Sequence, residues 1–141
     1  MQATGSNSRA HRPTVLIAED EPSVLCVLAA ALKQAGYEVL QASCGEDALA
    51  LCRARGRPVD LLLTDVIMPG MNGVELADRF VAEWPGTRVL CTAGMPGTPE
   101  VKRLIDSGYA FIPKPFLPRE LMREVARVLS AAPLSRAAGT S

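Results

Sequence analysis

The chain has 141 residues, of which 48% are hydrophobic and 21% are charged, and its 15 basic and 15 acidic side chains give a formal net charge of zero. This is the size and composition of one ordinary globular domain, without the basic excess typical of nucleic-acid-binding proteins. The longest apolar run, Val24–Leu32, is too short to cross a bilayer, and the polar amino terminus lacks a signal-peptide core, so we expect a cytoplasmic protein.

Short apolar runs alternate along the chain with longer stretches of helical spacing. The predicted elements, in chain order, are a strand at 15–18, a helix at 22–35, a strand at 39–40, a helix at 45–55, a strand at 61–63, a helix at 73–83, a strand at 89–91, a helix at 99–107, a strand at 111–112 and a helix at 117–130. The strand runs do not alternate with polar residues, which is typical of a sheet buried on both faces. Five strand–helix pairs predict a single doubly wound (βα)5 domain of the α/β class with a five-stranded parallel sheet. We place this domain at 13–130, between tails at 1–12 and 131–141 that we expect to be disordered.

The four cysteines are scattered along the chain and form no C-x-x-C motif. They are Cys26, Cys44, Cys52 and Cys91, and three of them lie in or beside apolar stretches. This pattern favours reduced cysteines in the core over a disulfide framework or a zinc site.

Polar residues that could bind a metal ion or take part in a reaction follow four of the five predicted strands. Glu19 and Asp20 follow the first, Asp65 the third, Thr92 the fourth and Lys114 the fifth. In an open parallel sheet, ligands bind at the carboxyl ends of the strands, so these side chains should converge. Clustered carboxylates are a suitable site for Mg²⁺, and a lysine and a hydroxyl opposite them would bind phosphate oxygens. An aspartate in that setting is a plausible nucleophile toward phosphorus, so the pattern indicates a phosphoryl acceptor.

Each of these residues also has a structural interpretation when taken alone. Asp20 could cap the first helix, Asp65 could be a turn residue, Thr92 could cap a loop, and Lys114, between two prolines, could be a solvated turn lysine. The functional interpretation is favoured because all four fall at one end of the same sheet.

The segments around these residues resemble the receiver domain of two-component response regulators over about residues 14–130. The matching motifs are Glu19-Asp20-Glu21-Pro22, the phosphorylation segment Leu63–Gly73, Thr92-Ala93-Gly94 and Lys114-Pro115-Phe116. The resemblance implies the flavodoxin-like strand order 2-1-3-4-5.

The resemblance also implies roles at the metal and phosphoryl site. Asp65 would be the phosphoacceptor, and Lys114 would pair with the phosphoryl oxygens. Glu19 and Asp20 would hold Mg²⁺ together with the Asp65 carboxylate and the backbone carbonyl of Ile67. Glutamate in place of the first acidic residue is a common variant of the family.

The resemblance also implies a conformational switch at the fourth and fifth predicted strands. Thr92 would be drawn toward the phosphoryl group, and Phe111 fits the aromatic switch position, although a strand phenylalanine is as readily plain core. The Lys114–Pro115 bond is cis in relatives. The surface of the fourth helix, fifth strand and fifth helix would then change its packing and control a partner protein.

The implied partners are a histidine kinase or phosphotransfer protein that donates phosphate, and an unknown downstream protein target. We expect no direct binding of nucleic acid, because no DNA-binding unit follows residue 130, and homodimerisation stays open. The spacing of Gly108 from Lys114 is typical of receivers attached to sensor kinases or standing alone. We expect no enzymatic activity beyond the domain's own phosphorylation and dephosphorylation.

Three other functions are disfavoured and one alternative remains. An aspartate-dependent phosphatase would need a second aspartate where Ile67 stands, a P-loop hydrolase would need its glycine–lysine motif, and a flavin binder would need a Ser/Thr/Gly-rich loop after the first strand. The remaining alternative is an interaction module of the same fold that is never phosphorylated.

Overall fold

A computed structural model describes residues 12–131 of the chain. Strands and helices alternate strictly. They are β1 (Thr14–Ala18), α1 (Pro22–Gln34), β2 (Glu38–Ala42), α2 (Gly45–Arg55), β3 (Leu61–Asp65), α3 (Gly73–Glu83), β4 (Arg88–Ala93), α4 (Pro99–Ser107), β5 (Ala110–Pro113) and α5 (Pro118–Ser130). Apart from Arg12 and Ala131, the predicted tails lie outside the described residues. Within 12–131, none of the helices combines the length and apolarity that a membrane crossing requires.

All neighbouring strands pair in parallel, in the order β2-β1-β3-β4-β5. This confirms the predicted α/β class and the 2-1-3-4-5 order. The register places Asp65, the last residue of β3, beside Thr92 of β4. The carboxyl ends of the central strands therefore meet at one edge of the sheet.

The core consists of two apolar layers, because successive residues of a strand face opposite sides of the sheet. Leu16 and Leu62 pack with Phe80 and Leu104 in the layer covered by α2, α3 and α4. The other layer is covered by α1 and α5, and it includes Val15, Ile17, Leu63, Leu121 and Val125. Helices on both faces leave the strand ends as the main polar edge.

The prediction that every strand is buried on both faces is wrong for the edge strands. All residues of β1 and β3 are buried, whereas only Ala42 of β2 and Ile112 of β5 are. An edge strand has one neighbour instead of two, so its flank stays open to solvent.

Three helix residues that were predicted to lie in the core are exposed to solvent instead. Val27 and Ile105 are 61% and 59% exposed, and Cys26 is exposed as well, although the apolar spacing and composition placed all three in the core. A helix buries only one face against a sheet, and the apolar run of α1 is wider than that face. Cys52 and Cys91 are buried as predicted, and the Cys44 thiol caps α2 by accepting a hydrogen bond from the Asp47 amide at 3.4 Å.

Candidate functional site

Main-chain hydrogen bonds fix the residues that follow the strands. Each of these amides donates to the carbonyl at the end of the neighbouring strand, so the ladder continues one residue into the loop. The bonds run from Glu19 to Ala42 (3.1 Å), from Val66 to Thr92 (3.0 Å) and from Lys114 to Ala93 (2.7 Å). Glu19 and Lys114 are therefore held by the rigid sheet, to which Asp65 and Thr92 themselves belong.

Three carboxylates converge at this edge. One oxygen from each of Glu19, Asp20 and Asp65 lies within 4.8 Å of the others. Glu19 and Asp65 are buried and Asp20 is exposed, so the cluster opens to solvent on one side. The alternative of Asp20 as a helix cap is wrong, because Glu21 is the N-cap residue of α1 and its side chain makes no capping bond.

Asp65 is held by one cation and one amide. Lys114 Nζ lies 2.8 Å from Asp65 Oδ2 in a salt bridge, and the Ile67 amide donates to Oδ1 at 3.2 Å. The Asp65 side chain is 9% exposed, and a carboxylate so buried needs a partner of opposite charge. The interpretation of Lys114 as a merely solvated turn lysine is therefore wrong.

The surroundings of Glu19 disfavour its charged form. Burial raises the pKa of the Glu19 carboxyl, and the nearby negative charge of Asp65 adds to the rise. The Glu21 amide, which donates to Glu19 Oε2 at 3.1 Å, and the charge of Lys114 oppose it. Because burial is the main cause of the rise, the charged form of Glu19 would be stabilised by a cation bound beside it.

The Thr92 hydroxyl is buried without a hydrogen-bond partner. Thr92 is 1% exposed, and its Oγ1 is one of two such side-chain atoms within 12–131. Its residue pairs with Asp65 across β3 and β4, and residues paired in this way face the same side of the sheet. A buried hydroxyl without a partner costs about 1–3 kcal/mol. An anion brought to Asp65 would satisfy it.

The structure also shows the predicted cis peptide bond and the exposure of the Phe111 and Ile67 side chains. The Lys114–Pro115 peptide bond is cis, as the resemblance implied. Phe111 is 37% exposed on β5 and so is not plain core, whereas its neighbour Ile112 is buried. The side chain of Ile67 is 50% exposed beside Asp65. The metal-binding role of the Ile67 carbonyl and the switch role of Phe111 stay predictions.

Gly73 has a role that sequence reasoning missed. A Cβ at this position would lie 2.1 Å from the Asp65 carbonyl oxygen and 2.8 Å from the Val66 Cα. The absent side chain lets α3 begin against the main chain of Asp65, where the Gly73 amide donates to the Val66 carbonyl at 2.8 Å. Asn72 caps the helix through the Glu75 amide at 2.9 Å. The Asn72-Gly73 pair, seven and eight residues after the strand-end Asp65, is the sequence signal that could have identified it.

The donor set fits the predicted magnesium ion. Hard carboxylate oxygens are the ligands that Mg²⁺ prefers, and Glu19, Asp20 and Asp65 supply them within reach of one another. A cation there would offset the burial, and the smaller repulsion from Asp65 and Asp20, that raise the pKa of the Glu19 carboxyl. These three carboxylates would therefore hold the metal.

Comparison with known proteins agrees with this geometry. A family profile described as response regulator receiver domain matches residues 15–126. The response regulator receiver protein CpdR of Brucella abortus is 34% identical over 84% of this chain and 98% of its own length. The Vibrio cholerae chemotaxis protein CheY4 superposes with a TM-score of 0.72, at 30% identity, covering 83% of this chain and 98% of that one.

Receivers within larger proteins are similar as well. The sensor kinase CckA of Brucella abortus is 32% identical over 82% of this chain, which spans 12% of the kinase. The response regulator GtcR of Aneurinibacillus migulanus is 31% identical over 84% of this chain, which spans 48% of it. The fold, the motifs and these similarities together place the chain in the response regulator receiver domain family of two-component systems.

Proposed function

We propose that Asp65 accepts a phosphoryl group from a phosphohistidine donor in the presence of Mg²⁺. The observation that carries the proposal is the unpartnered Thr92 hydroxyl beside the Asp65–Lys114 pair. The site holds a nucleophilic carboxylate, a cation and a free hydroxyl, which are the groups needed around a transferred phosphoryl.

The proposed transfer is a displacement at phosphorus. An Asp65 carboxylate oxygen attacks the phosphorus atom, the phosphorus–nitrogen bond of the phosphohistidine breaks, and its electron pair returns to the imidazole nitrogen. The Lys114 ammonium exchanges Asp65 Oδ2 for a phosphoryl oxygen, and the Thr92 hydroxyl donates to another. Bound Mg²⁺ would supply positive charge that offsets the charge of the phosphoryl oxygens. Later attack by water at phosphorus releases inorganic phosphate and restores Asp65.

The proposed consequence is a change in an exposed surface. Phosphorylation adds about one to two negative charges at Asp65, and this charge attracts the Thr92 hydroxyl. Thr92 leads into the 94–98 loop and α4, beside which β5 and α5 lie. Apolar side chains of this surface are open to solvent, including Met95 (72%), Ile105 (59%) and Phe111 (37%). They would bind a downstream protein in one of the two packings.

The remaining parts of the proposal concern partners and location. A histidine kinase or phosphotransfer protein would be the donor, and the domain would catalyse only its own phosphorylation and dephosphorylation. A cytoplasmic location and the absence of nucleic-acid binding stay predictions from the sequence, and homodimerisation stays open. The alternative of a module that is never phosphorylated would retain the fold and lose the chemistry.

The test is the intact mass of the protein after incubation with Mg²⁺ and a small acyl-phosphate donor. Asp65→Asn is compared with Asp60→Asn, which changes an exposed aspartate directly before the other end of β3. We expect one phosphoryl adduct in the wild type and in Asp60→Asn, and none in Asp65→Asn or without Mg²⁺. An adduct that survives in Asp65→Asn would contradict the proposal, and no adduct together with no Mg²⁺ binding would support the unphosphorylated module.

A further inference from the structure

The junction between α4 and β5 is tied to α3 by a side-chain hydrogen bond. Tyr109 follows Gly108, which ends α4 at φ +84°, and its side chain is 5% exposed in the apolar layer below α3 and α4. The Tyr109 hydroxyl donates to Asp78 Oδ1 on α3 at 2.7 Å. A hydrogen bond from a buried hydroxyl to a carboxylate is among the stronger kinds in proteins.

The carboxyl end of α4 is bonded further through its last turn. Ser107 Oγ donates to the Leu104 carbonyl at 2.6 Å and accepts from the Tyr109 amide at 3.3 Å. The Gly108 amide donates to the Ile105 carbonyl at 3.3 Å. The carboxyl end of α4 is therefore bonded both within its own last turn and, through Tyr109 and Asp78, to α3.

The side-chain bond at the amino end of α4 is local to the helix. Thr98 Oγ1 accepts from the Val101 amide at 3.2 Å, and Val101 is buried, so the first turn is capped and packed but this cap does not tie it to another element. In the preceding loop, Met95 is 72% exposed, and a Cβ at Gly94 or Gly97 would meet no atom within 4 Å. This loop follows Thr92, the residue whose hydroxyl lacks a partner, so the loosely packed segment before α4 is the one next to the site.

Helix α3 provides the fixed reference for this arrangement. It starts at Gly73, against the main chain of Asp65, and buries Phe80 completely. A movement that begins at Thr92 can displace the 94–98 loop and the first turn of α4 without opening α3. The end of α4 that is bonded to α3 must stay in place for the Tyr109–Asp78 bond to persist.

We propose that Tyr109 and Asp78 are positioning residues that form the pivot of the switch. In this proposal α4 turns about its carboxyl end and the main-chain displacement is confined to residues 94–101, while the side chains of Ile105 and Phe111 repack against it. This inference rests on the proposed phosphorylation of Asp65, since the phosphoryl group provides the force on Thr92. The pivot also fixes the start of β5, whose other end is held by the bond from the Lys114 amide to the Ala93 carbonyl. Loss of the pivot would let the displacement spread along α4 into β5.

The first arm of the test measures amide hydrogen exchange by mass spectrometry in the unphosphorylated full chain. Tyr109→Phe removes only the hydroxyl, and we expect exchange in 104–110 to rise by about tenfold or more. Asp78→Asn keeps an acceptor oxygen and should retain most of the protection, whereas Asp78→Ala should not. Tyr37→Phe, at the corresponding place after Gly36 in the opposite apolar layer, is the matched control and should leave 104–110 unchanged.

A double-mutant cycle separates the bond from other effects of each substitution. Adding Tyr109→Phe to Asp78→Ala should raise exchange in 104–110 far less than it does in the wild type, because the shared bond is already absent. Equal effects in both backgrounds, or unchanged exchange in Tyr109→Phe, would overturn the proposed bond.

The second arm adds beryllium fluoride, a stable phosphoryl analogue, with Mg²⁺. In the wild type we expect exchange to change in 94–101 and not in 104–110, and in Tyr109→Phe we expect the change to extend through 104–110. Equal changes in both segments of the wild type would overturn the pivot. No change in any segment, with the first arm as expected, would contradict the proposed function and the pivot while leaving the bond established.

Discussion

Replacing Gly73 with alanine should damage both the fold and the site, because this glycine lies against the main chain of Asp65. The added Cβ would lie 2.1 Å from the Asp65 carbonyl oxygen, more than 1 Å inside the 3.4 Å at which ordinary contact begins. The opposing atoms belong to the backbone of a central strand, so no side chain can rotate away. Either α3 or the end of β3 must move.

The loss of free energy of unfolding in Gly73→Ala has two contributions. Overpacking a well-packed interior costs about 1–3 kcal/mol, and a rigid backbone neighbour places this case near the upper end. The bond from the Gly73 amide to the Val66 carbonyl, 2.8 Å long, would stretch or break and cost about 1 kcal/mol more. A displacement of Asp65 by about 1 Å would also slow the proposed phosphoryl transfer by about 100-fold.

The assay is urea unfolding followed by circular dichroism, with Gly86→Ala as the control. A Cβ at Gly86 would meet no atom within 4 Å, so this variant should stay within about 0.5 kcal/mol of the wild type. We expect Gly73→Ala to lose about 3–4 kcal/mol of the free energy of unfolding. Equal unfolding midpoints for the two variants would refute the close contact between α3 and Asp65.

Three further predictions concern the core, the cysteines and the lifetime of the phosphoryl group. Phe80→Ala should lower the free energy of unfolding by about 3–5 kcal/mol in the same urea assay. The substitution leaves a cavity at a fully buried position and removes a ring contact with Trp84, whose ring centroid lies 4.9 Å from that of Phe80. A loss below about 1 kcal/mol would contradict this prediction. Iodoacetamide at neutral pH should alkylate exposed Cys26 in the native protein but not Cys91, because burial raises the pKa of the Cys91 thiol to about 12. Peptide mapping by mass spectrometry checks this, and alkylated Cys91 in the native protein would refute it. Ile67→Asn should speed release of inorganic phosphate about fivefold, because an amide can orient the attacking water with one hydrogen bond where the half-exposed isoleucine cannot, and a wild type that hydrolyses as fast as the variant would contradict it.

The fold was predictable because its signals are local and repeated. Five apolar runs alternating with helical spacing determine the layer structure, and polar residues such as Asp65 and Lys114 mark the strand ends. Exposure was predictable only in part. Val27 and Ile105 fit the apolar spacing of their helices but lie outside the contact with the sheet, since spacing identifies a face and not its width.

The residues of the site were predictable, and the contacts that support it were not. Convergence at one sheet edge follows from topology, whereas the Tyr109–Asp78 bond joins residues 31 positions apart on elements whose packing no local pattern encodes. The close approach at Gly73 likewise depends on how α3 meets β3. The unpartnered Thr92 hydroxyl emerges only once the burial of every neighbouring atom is known.

The central claim is that the phosphoryl group resides on Asp65, and borohydride reduction tests it most directly. Reduction converts an aspartyl phosphate to homoserine and leaves free carboxylates unchanged, so peptide sequencing by mass spectrometry locates the modified residue. We predict homoserine at position 65 alone, after treatment with an acyl-phosphate donor and Mg²⁺. Homoserine at Asp20 or Asp60 instead, or none in a protein that carries a phosphoryl adduct, would contradict the account.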